Sequence, residues 1–364
     1  MASERPARAY QPIHPAVRPL LDPQYIKFHE SYFQYVIPDD QKPWDGSART
    51  AQRPWSSTES ALTKTANTQD FNRGKYKIRV FTPDGERPTL GWPVHIWFHG
   101  GGWSIGGIND GNDLCTLICA TACCVVVTVG YRLAPEHPYP AAIEDAVDAL
   151  KWAYSAEGAR TLNVDNTRIS IGGTSAGGNL AAVLSIKASQ LEPRIDICFQ
   201  ILVLPVIDNT ASVSTIWKRN RHAPWLTPAR MEWYRRMYLP NPSDAMSWDA
   251  SPNLATPEQL AESPKTWIAV SGQDLLAPEA QAYAGPLKKA WETTGRDNQV
   301  VIEFYEGSTH ALLSMSGKSF HRVGIHFHSS TDNIASLGIL KQGAKLLRDC
   351  AEQVRRGFAL PIAN

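Results

Sequence analysis

A serine flanked by small residues is the first group in this chain that could do chemistry. Ser175 lies in the segment 168–180, which reads RISIGGTSAGGNL, and Gly173 and Gly177 stand two residues before and after it. Alternating apolar residues before the serine and a helical pattern after it predict a strand, a very tight turn and a helix. Such a turn exposes the hydroxyl at a helix N-terminus, which favours developing negative charge. The spacing is typical of a serine nucleophile, and an ordinary glycine-rich turn is the alternative that this segment leaves open.

The elements that must position this serine form a regular series. The run 123–129 is continuously apolar, as expected of a parallel strand covered on both faces. Helical stretches are predicted at 22–36, 141–154 and about 337–356, and 58–68 resembles a polar linker. The predicted strands are 76–81, 94–99, 123–129, 168–172, 198–205, 266–271 and 300–305. Strands that alternate with helices predict a mostly parallel α/β sheet.

One aromatic stretch interrupts that alternation. Residues 206–262 are rich in Trp, Tyr and Pro and show no strand pattern, which predicts a helical insertion over the edge of the sheet where ligands bind. We therefore expect a cap segment and linker over 1–65, a catalytic core formed by 66–205 and 263–364, and a cap insertion over 206–262. The aromatic residues of the insertion could face a substrate or pack in a core, and both interpretations stay open.

Four further segments each follow a predicted strand. They are HGGGW at 99–103, YRLAPEHPYPAA at 131–142, GQDLLAPE at 272–279 and STHAL at 308–312. In this order, with the serine segment, they resemble the hormone-sensitive-lipase-type branch of the α/β hydrolases over roughly residues 75–312. The resemblance implies an α/β-hydrolase fold, with a mostly parallel central sheet flanked by helices and a helical cap. It also implies hydrolysis of carboxylic esters through an acyl-enzyme.

The resemblance assigns a role to each of three distant side chains. Ser175 is the nucleophile and needs a base, for which His310 is the candidate because it follows the last predicted strand. Asp274, on the loop after the preceding strand, would hold the imidazole in the required tautomer. Asp208, also at a strand end, is the fallback acid.

The remaining predicted site residues would bind the substrate. The backbone N–H groups of Gly101, Gly102 and Ala176 are expected to form the oxyanion hole, since glycine lets consecutive amides approach the substrate closely. A phosphate-binding loop is disfavoured, because the Lys-Ser/Thr of a P-loop is missing after these glycines. Trp103 and Trp225, with Trp217, are expected to line a pocket for short-to-medium acyl or aryl groups.

Three departures from the family pattern stand out. Thr174 occupies a position where an acidic residue is more common, and the residues around Asp274 differ from the usual Asp-Pro-Leu-Arg-Asp-Glu. The stretch 313–336 is longer than expected before the final helix. It is predicted to be a surface excursion near the pocket rim or an oligomer contact, and homodimer formation is left open.

Composition limits the classes of partner. The net charge of +1 over 364 residues gives no case for nucleic acid or acidic membranes, and no apolar run is long enough for a membrane helix. The first thirty residues show no signal-like segment, so we expect a cytoplasmic protein. The six cysteines are expected to be free thiols packed in the core, and neither a metal nor a cofactor is expected. A histidine cluster at 321, 326 and 328 lacks a cysteine or acid at ligand spacing.

The expected partner is a small-molecule ester, but other activities use the same groups. A lactonase, an acyl-transfer enzyme or an arylformamide hydrolase could operate with this triad. A non-catalytic receptor for a small molecule, similar to the plant gibberellin receptor, could use the same scaffold without a working base.

Overall fold

The computed structural model describes residues 8–50, 66–292, 294, 300–315 and 338–358. Its centre is one eight-stranded sheet, whose strands are Ala66–Asn72, Lys77–Pro83, Trp92–Phe98, Val125–Gly130, Val164–Thr174, Ile197–Val203, Lys265–Ser271 and Val300–Tyr305, numbered β1 to β8. Their order in the sheet is β1-β2-β4-β3-β5-β6-β7-β8. β2 is antiparallel to both of its neighbours, and the six strands β3 to β8 are parallel to one another. The predicted mostly parallel α/β sheet is confirmed.

Helices cover both faces of the sheet, as the alternating side chains of its strands require. The helices are Pro23–Ser31, Ser47–Thr50, Asn112–Ala122, Ala141–Tyr154, Ala156–Leu162, Ala176–Lys187, Pro228–Tyr238, Pro257–Leu260, Ala277–Glu292 and Gly338–Gly357, numbered α1 to α10. On β3 and β4, Ile96 and Val127 belong to the large core beneath α4, α6 and α9, whereas Trp97 and Val126 pack in a second core beneath α3 and α10.

Among the strand boundaries that differ from the sequence prediction are those at the start of β1 and at the start of β4. Residues 66–68, predicted as linker, begin β1, whose polar sequence suits an edge strand that pairs with β2 alone. The predicted strand at 123–129 begins only at Val125, because Cys123 has a φ of 46° and caps α3. All six cysteines are free thiols as predicted, but Cys123 and Cys198 are exposed rather than packed in the core.

The segments predicted as caps are short helices and loops. In residues 206–262, all of which are described, α7 and α8 are joined by loops and single 3-10 turns. The predicted helix at 22–36 is α1 followed by a separate 3-10 turn at Phe33–Tyr35. Its apolar side chains pack with Ala311 and Met315, which follow β8. The segment 51–65 and residues 316–336 of the predicted surface excursion lie outside the described residues.

Candidate active site

The predicted elbow is a sharp turn between β5 and α6. β5 ends at Thr174, α6 begins at Ala176, and Ser175 between them has φ 56° and ψ −118°, a conformation that non-glycine residues rarely adopt. The turn is fixed to the end of the neighbouring strand, because the Ser175 N–H donates to the Val203 carbonyl at 2.9 Å and the Ser175 carbonyl accepts from the Val206 N–H at 3.1 Å. Hydrogen bonds to both its N–H and its carbonyl therefore hold the strained conformation of Ser175.

The flanking glycines are required by the closeness of the backbones. A Cβ at Gly173 would lie 2.2 Å from the Gly177 carbonyl oxygen, and a Cβ at Gly177 would lie 2.1 Å from the Phe98 carbonyl oxygen. No real Cβ contact is that short, so any side chain at either position would push α6 away from β3 and β5. The G-x-S-x-G spacing follows directly from this packing.

Three side chains from separate parts of the chain meet beside this turn. The His310 Nε2 lies 2.9 Å from the Ser175 Oγ, and the His310 Nδ1 lies 2.7 Å from the Asp274 Oδ2. Asp274 is buried, and its other oxygen, Oδ1, accepts from the Leu276 N–H at 3.1 Å. Because a carboxylate only accepts, the Nδ1 carries the proton and the Nε2 lone pair faces the serine hydroxyl. Asp208, the fallback acid, instead accepts from the hydroxyl and N–H of Thr210.

The parallel sheet explains why these groups meet. Asp274 follows β7 and His310 follows β8, and the carboxyl ends of parallel strands lie at the same edge of a sheet. The two loops are also joined directly, since the Gln273 N–H donates to the Ser308 carbonyl at 2.9 Å. This contact fixes the spacing between the carboxylate and the imidazole.

The glycine loop after β3 brings two backbone N–H groups to the same edge. Gly101 has φ 111° and Gly102 has φ 57°, and both line the cavity that contains Ser175 and His310. Within the described part of the chain, neither N–H has a hydrogen-bond partner. A Cβ at Gly101 would lie 2.2 Å from the Ile105 carbonyl oxygen, so only glycine fits. Ala176 is the first residue of α6, where the N–H groups have no partner within the helix.

Burial and stacking hold the base of this loop. The His99 ring lies 4.3 Å from the Tyr131 ring, nearly parallel to it, and the Tyr131 hydroxyl donates to the His99 carbonyl at 2.8 Å. Burial lowers the pKa of His99, which keeps its imidazole neutral. The His99 Nδ1 lies 2.7 Å from the Gly100 carbonyl oxygen, so the neutral ring donates to it.

The cavity at this edge has a volume of about 430 Å³. Residues 206–262 form one wall, where the apolar side chains of Trp225, Leu226, Met231 and Tyr234 line the cavity beside Arg230. The Tyr234 ring also packs on the glycine loop after β3, since a Cβ at Gly102 would lie 2.2 Å from its Cγ. Tyr234 was not among the predicted pocket residues, and its only signal in the sequence is the aromatic content of the segment that forms α7.

The three predicted pocket tryptophans lie in different environments. Trp225 lines the cavity and stacks on Phe33 at 4.2 Å between ring centroids. Trp103 is fully buried against Tyr238, with parallel rings 4.2 Å apart, and it does not line the cavity. Trp217 is also fully buried away from it, and its indole N–H donates to a carboxyl oxygen of Glu279 in α9. Local sequence could not separate these environments, because the partners of each ring are distant in the chain.

No cation site accompanies these groups in the described residues, among which no three His, Cys, Asp or Glu side chains are arranged to hold a metal ion. The histidines at 321, 326 and 328 lie outside that part. No helix of the described chain is long and apolar enough to cross a membrane.

Comparison with known proteins finds a matching family, related sequences and similar solved structures. Residues 95–314 match a family model described as an alpha/beta hydrolase fold. An AB hydrolase superfamily protein of Schizosaccharomyces pombe is 38% identical over 319 residues, which are 84% of this chain and 90% of that protein. The carboxylic ester hydrolase LipN of Mycobacterium tuberculosis is 34% identical over 66% of this chain and 62% of its own length. The solved esterase of Pyrobaculum calidifontis is 28% identical with a TM-score of 0.72, covering 92% of this chain and 98% of that one.

Proposed function

Because the chain belongs to the hormone-sensitive-lipase-like carboxylesterase family of the α/β hydrolases, we propose that it cleaves esters by nucleophilic attack of Ser175. The series of hydrogen bonds Ser175–His310–Asp274 carries this proposal. A serine hydroxyl is a weak nucleophile, and here its proton faces an imidazole lone pair oriented by a buried carboxylate.

The contacts support a reaction in two halves. His310 takes the Ser175 proton as the Oγ attacks the ester carbonyl, and the new oxyanion is met by the N–H groups of Gly101, Gly102 and Ala176. His310 then gives the proton to the leaving alcohol, which leaves an acyl group on Ser175. Water repeats the sequence, losing a proton to His310 and releasing the carboxylic acid, and the serine regains its proton.

The cavity supports short-to-medium acyl or aryl esters as substrates. Its apolar wall suits an acyl chain or an aromatic ring, and its volume falls within the range of small-molecule sites. Lactone hydrolysis, acyl transfer and arylformamide hydrolysis would use the same three side chains, and a panel of these substrates separates them. A receptor needs no base on its serine, so the His310–Ser175 hydrogen bond favours an enzyme.

Replacing the serine tests the proposal. The Ser175→Ala variant should lose p-nitrophenyl ester hydrolysis by a factor of at least about 10⁴, because the nucleophile is gone. It should also lose labelling by a fluorophosphonate. Ser185→Ala is a matched control, since the hydroxyl of this buried serine of α6 donates to the Ala182 carbonyl within its own helix. Unchanged turnover in the Ser175→Ala variant, with a normal thermal transition, would overturn the proposal.

A further inference from the structure

A buried asparagine of the cap insertion (residues 206–262) holds the backbone of the loop that carries Asp274. The Asn220 side-chain amide donates to the Gly272 carbonyl at 3.2 Å and to the Asp274 carbonyl at 2.5 Å. An amide NH₂ has two donors, so both are used on this loop. The loop between β7 and α9 is therefore attached to the turn that contains Asn220 as well as to the end of β8 and the loop that follows it.

Asn220 is itself held by a chain of buried contacts. Its N–H donates to the Trp217 carbonyl at 3.0 Å, and the Trp217 indole donates to the Glu279 Oε2 at 2.7 Å. The Glu279 Oε1 accepts from the Ile207 N–H at 2.8 Å. These contacts join the start of α9, the turn that contains Asn220, and the segment after β6. These contacts therefore fix the turn from which the Asn220 side chain reaches the loop that carries Asp274, here called the acid loop.

The acid loop lies between the turn that contains Asn220 and the loop after β8 that carries His310, here called the histidine loop. The Gly272 N–H donates to the Tyr305 carbonyl at the end of β8 at 3.1 Å, whereas its carbonyl accepts from Asn220. Loss of the Asn220 amide would leave the Gly272 carbonyl without this partner and weaken the attachment of the Asp274 backbone. Because the Asp274 carboxylate is two bonds from that backbone, a small rotation of the peptide would lengthen its contact with His310.

We propose that Asn220 is a positioning residue for the reaction, which fixes the Asp274 carboxylate against His310 from outside the sheet. This inference rests on the proposed function. The cap insertion would then contribute to the chemical step as well as to the wall of the cavity. Trp217, expected from the sequence to touch substrate, would act through Asn220 instead.

Two substitutions test the role of the Asn220 amide. Asn220→Ala removes both donors, and Asn220→Asp keeps the volume but places a carboxyl oxygen against two carbonyls. Both variants should lower kcat roughly 10- to 100-fold, the scale of losses that small misplacements cause. KM should stay within about twofold, because Asn220 does not line the cavity. The acid limb of the kcat/KM profile should move to lower pH, since a displaced carboxylate stabilises the imidazolium less.

Asn209→Ala is the matched control. Asn209 is also buried in the cap insertion, and its amide donates to the Ala250 carbonyl at 2.7 Å, away from the acid loop. This variant should lose similar thermal stability but keep kcat and the acid limb. In an Asp274→Asn background, Asn220→Ala should add no further loss of kcat, because the group through which it acts has already been altered.

Two kinetic results would each overturn the inference. One is a kcat loss in Asn220→Ala no larger than in Asn209→Ala, and the other is a full additional loss in the Asp274→Asn background. The proton on the His310 Nδ1 gives a readout that needs no turnover, since its downfield NMR resonance should shift upfield in the Asn220 variants. Failure of the ester assay in the unchanged enzyme would refute the proposed function alone, and an unchanged resonance would refute the role of Asn220 alone.

Discussion

The Asp274→Asn substitution tests the tautomer of His310 with almost no change of shape. The Asp274 Oδ1 accepts from the Leu276 N–H and the Oδ2 accepts from the His310 Nδ1–H. An asparagine has only one acceptor oxygen. If that oxygen keeps the bond with Leu276, the NH₂ group faces His310 and forces its proton onto the Nε2, where it blocks removal of the Ser175 proton.

The expected loss has two parts. Turning the amide to restore the productive tautomer leaves the buried Leu276 N–H against an NH₂, at about 1–3 kcal/mol, or roughly 5- to 150-fold. The carboxylate charge is lost as well. Two unit charges about 4 Å apart at an effective dielectric of about 20 interact by about 4 kcal/mol, a factor of roughly 10³. Together they predict a fall in kcat of about 10⁴- to 10⁵-fold, in the range known for this substitution in other triads.

The assay compares kcat for a p-nitrophenyl ester in Asp274→Asn and Asp208→Asn. Asp208 is the other carboxylate at a strand end. Among the described residues, its side chain accepts hydrogen bonds from Thr210 alone. Its substitution should change kcat by no more than a few-fold. Thermal unfolding of both variants controls for folding. If Asp274→Asn keeps more than about one tenth of the activity, or if Asp208→Asn suffers the larger loss, the orientation of His310 by Asp274 is refuted.

Two further predictions concern the oxyanion loop and the buried carboxyl of α9. Gly102→Ala should lower kcat by about 100-fold or more, because its Cβ would lie 2.2 Å from an aromatic ring of α7 and displace an oxyanion donor. Gly285→Ala, in α9 and away from the cavity, has open space for a Cβ and should retain steady-state activity, and equal losses would contradict this reasoning. Burial raises the pKa of Glu279 from 4.5 to about 8. The folded chain therefore keeps a proton that the unfolded chain releases, and the contribution of Glu279 to the free energy of unfolding should fall by about 1 kcal/mol per pH unit between pH 5 and 8. Urea denaturation at several pH values should show that the free energy of unfolding falls less steeply with pH in Glu279→Gln. An equal dependence on pH in both proteins would contradict the raised pKa of Glu279.

The parts of the fold that follow from local sequence were predictable. The strand before Ser175 and the helix after it have different hydrophobic periodicities, and close backbone contacts at the turn between them require glycine. His310 was selected among ten histidines by its place after the last predicted strand. The same patterns missed β1, whose polar residues pair on one side only and carry no apolar alternation.

The surroundings of the tryptophans and of Asn220 could not be predicted in this way. Trp217 contacts a residue 62 positions away, and Asn220 contacts the acid loop 52 and 54 positions away. Whether an aromatic ring faces a cavity or a core depends on such distant partners. An aromatic-rich stretch therefore predicts burial, but it does not tell which cavity or core a given ring faces.

Segments outside the sheet attach both loops of the candidate site. A parallel sheet fixes where each strand ends, but the residues that follow retain the freedom of loops, which are the least stable parts of a fold. Asn220 attaches the acid loop, and on the other side the Asp22 N–H donates to the Gly307 carbonyl at 3.0 Å, three residues before His310. A Cβ at Gly307 would lie 2.8 Å from the Asp22 nitrogen, so the N-terminal segment packs closely against the histidine loop. Distances of 2.7 and 2.9 Å along the triad require both loops to be held at once. Because the cap insertion and the N-terminal segment each hold one loop, loosening either should impair the chemical step before it impairs substrate binding.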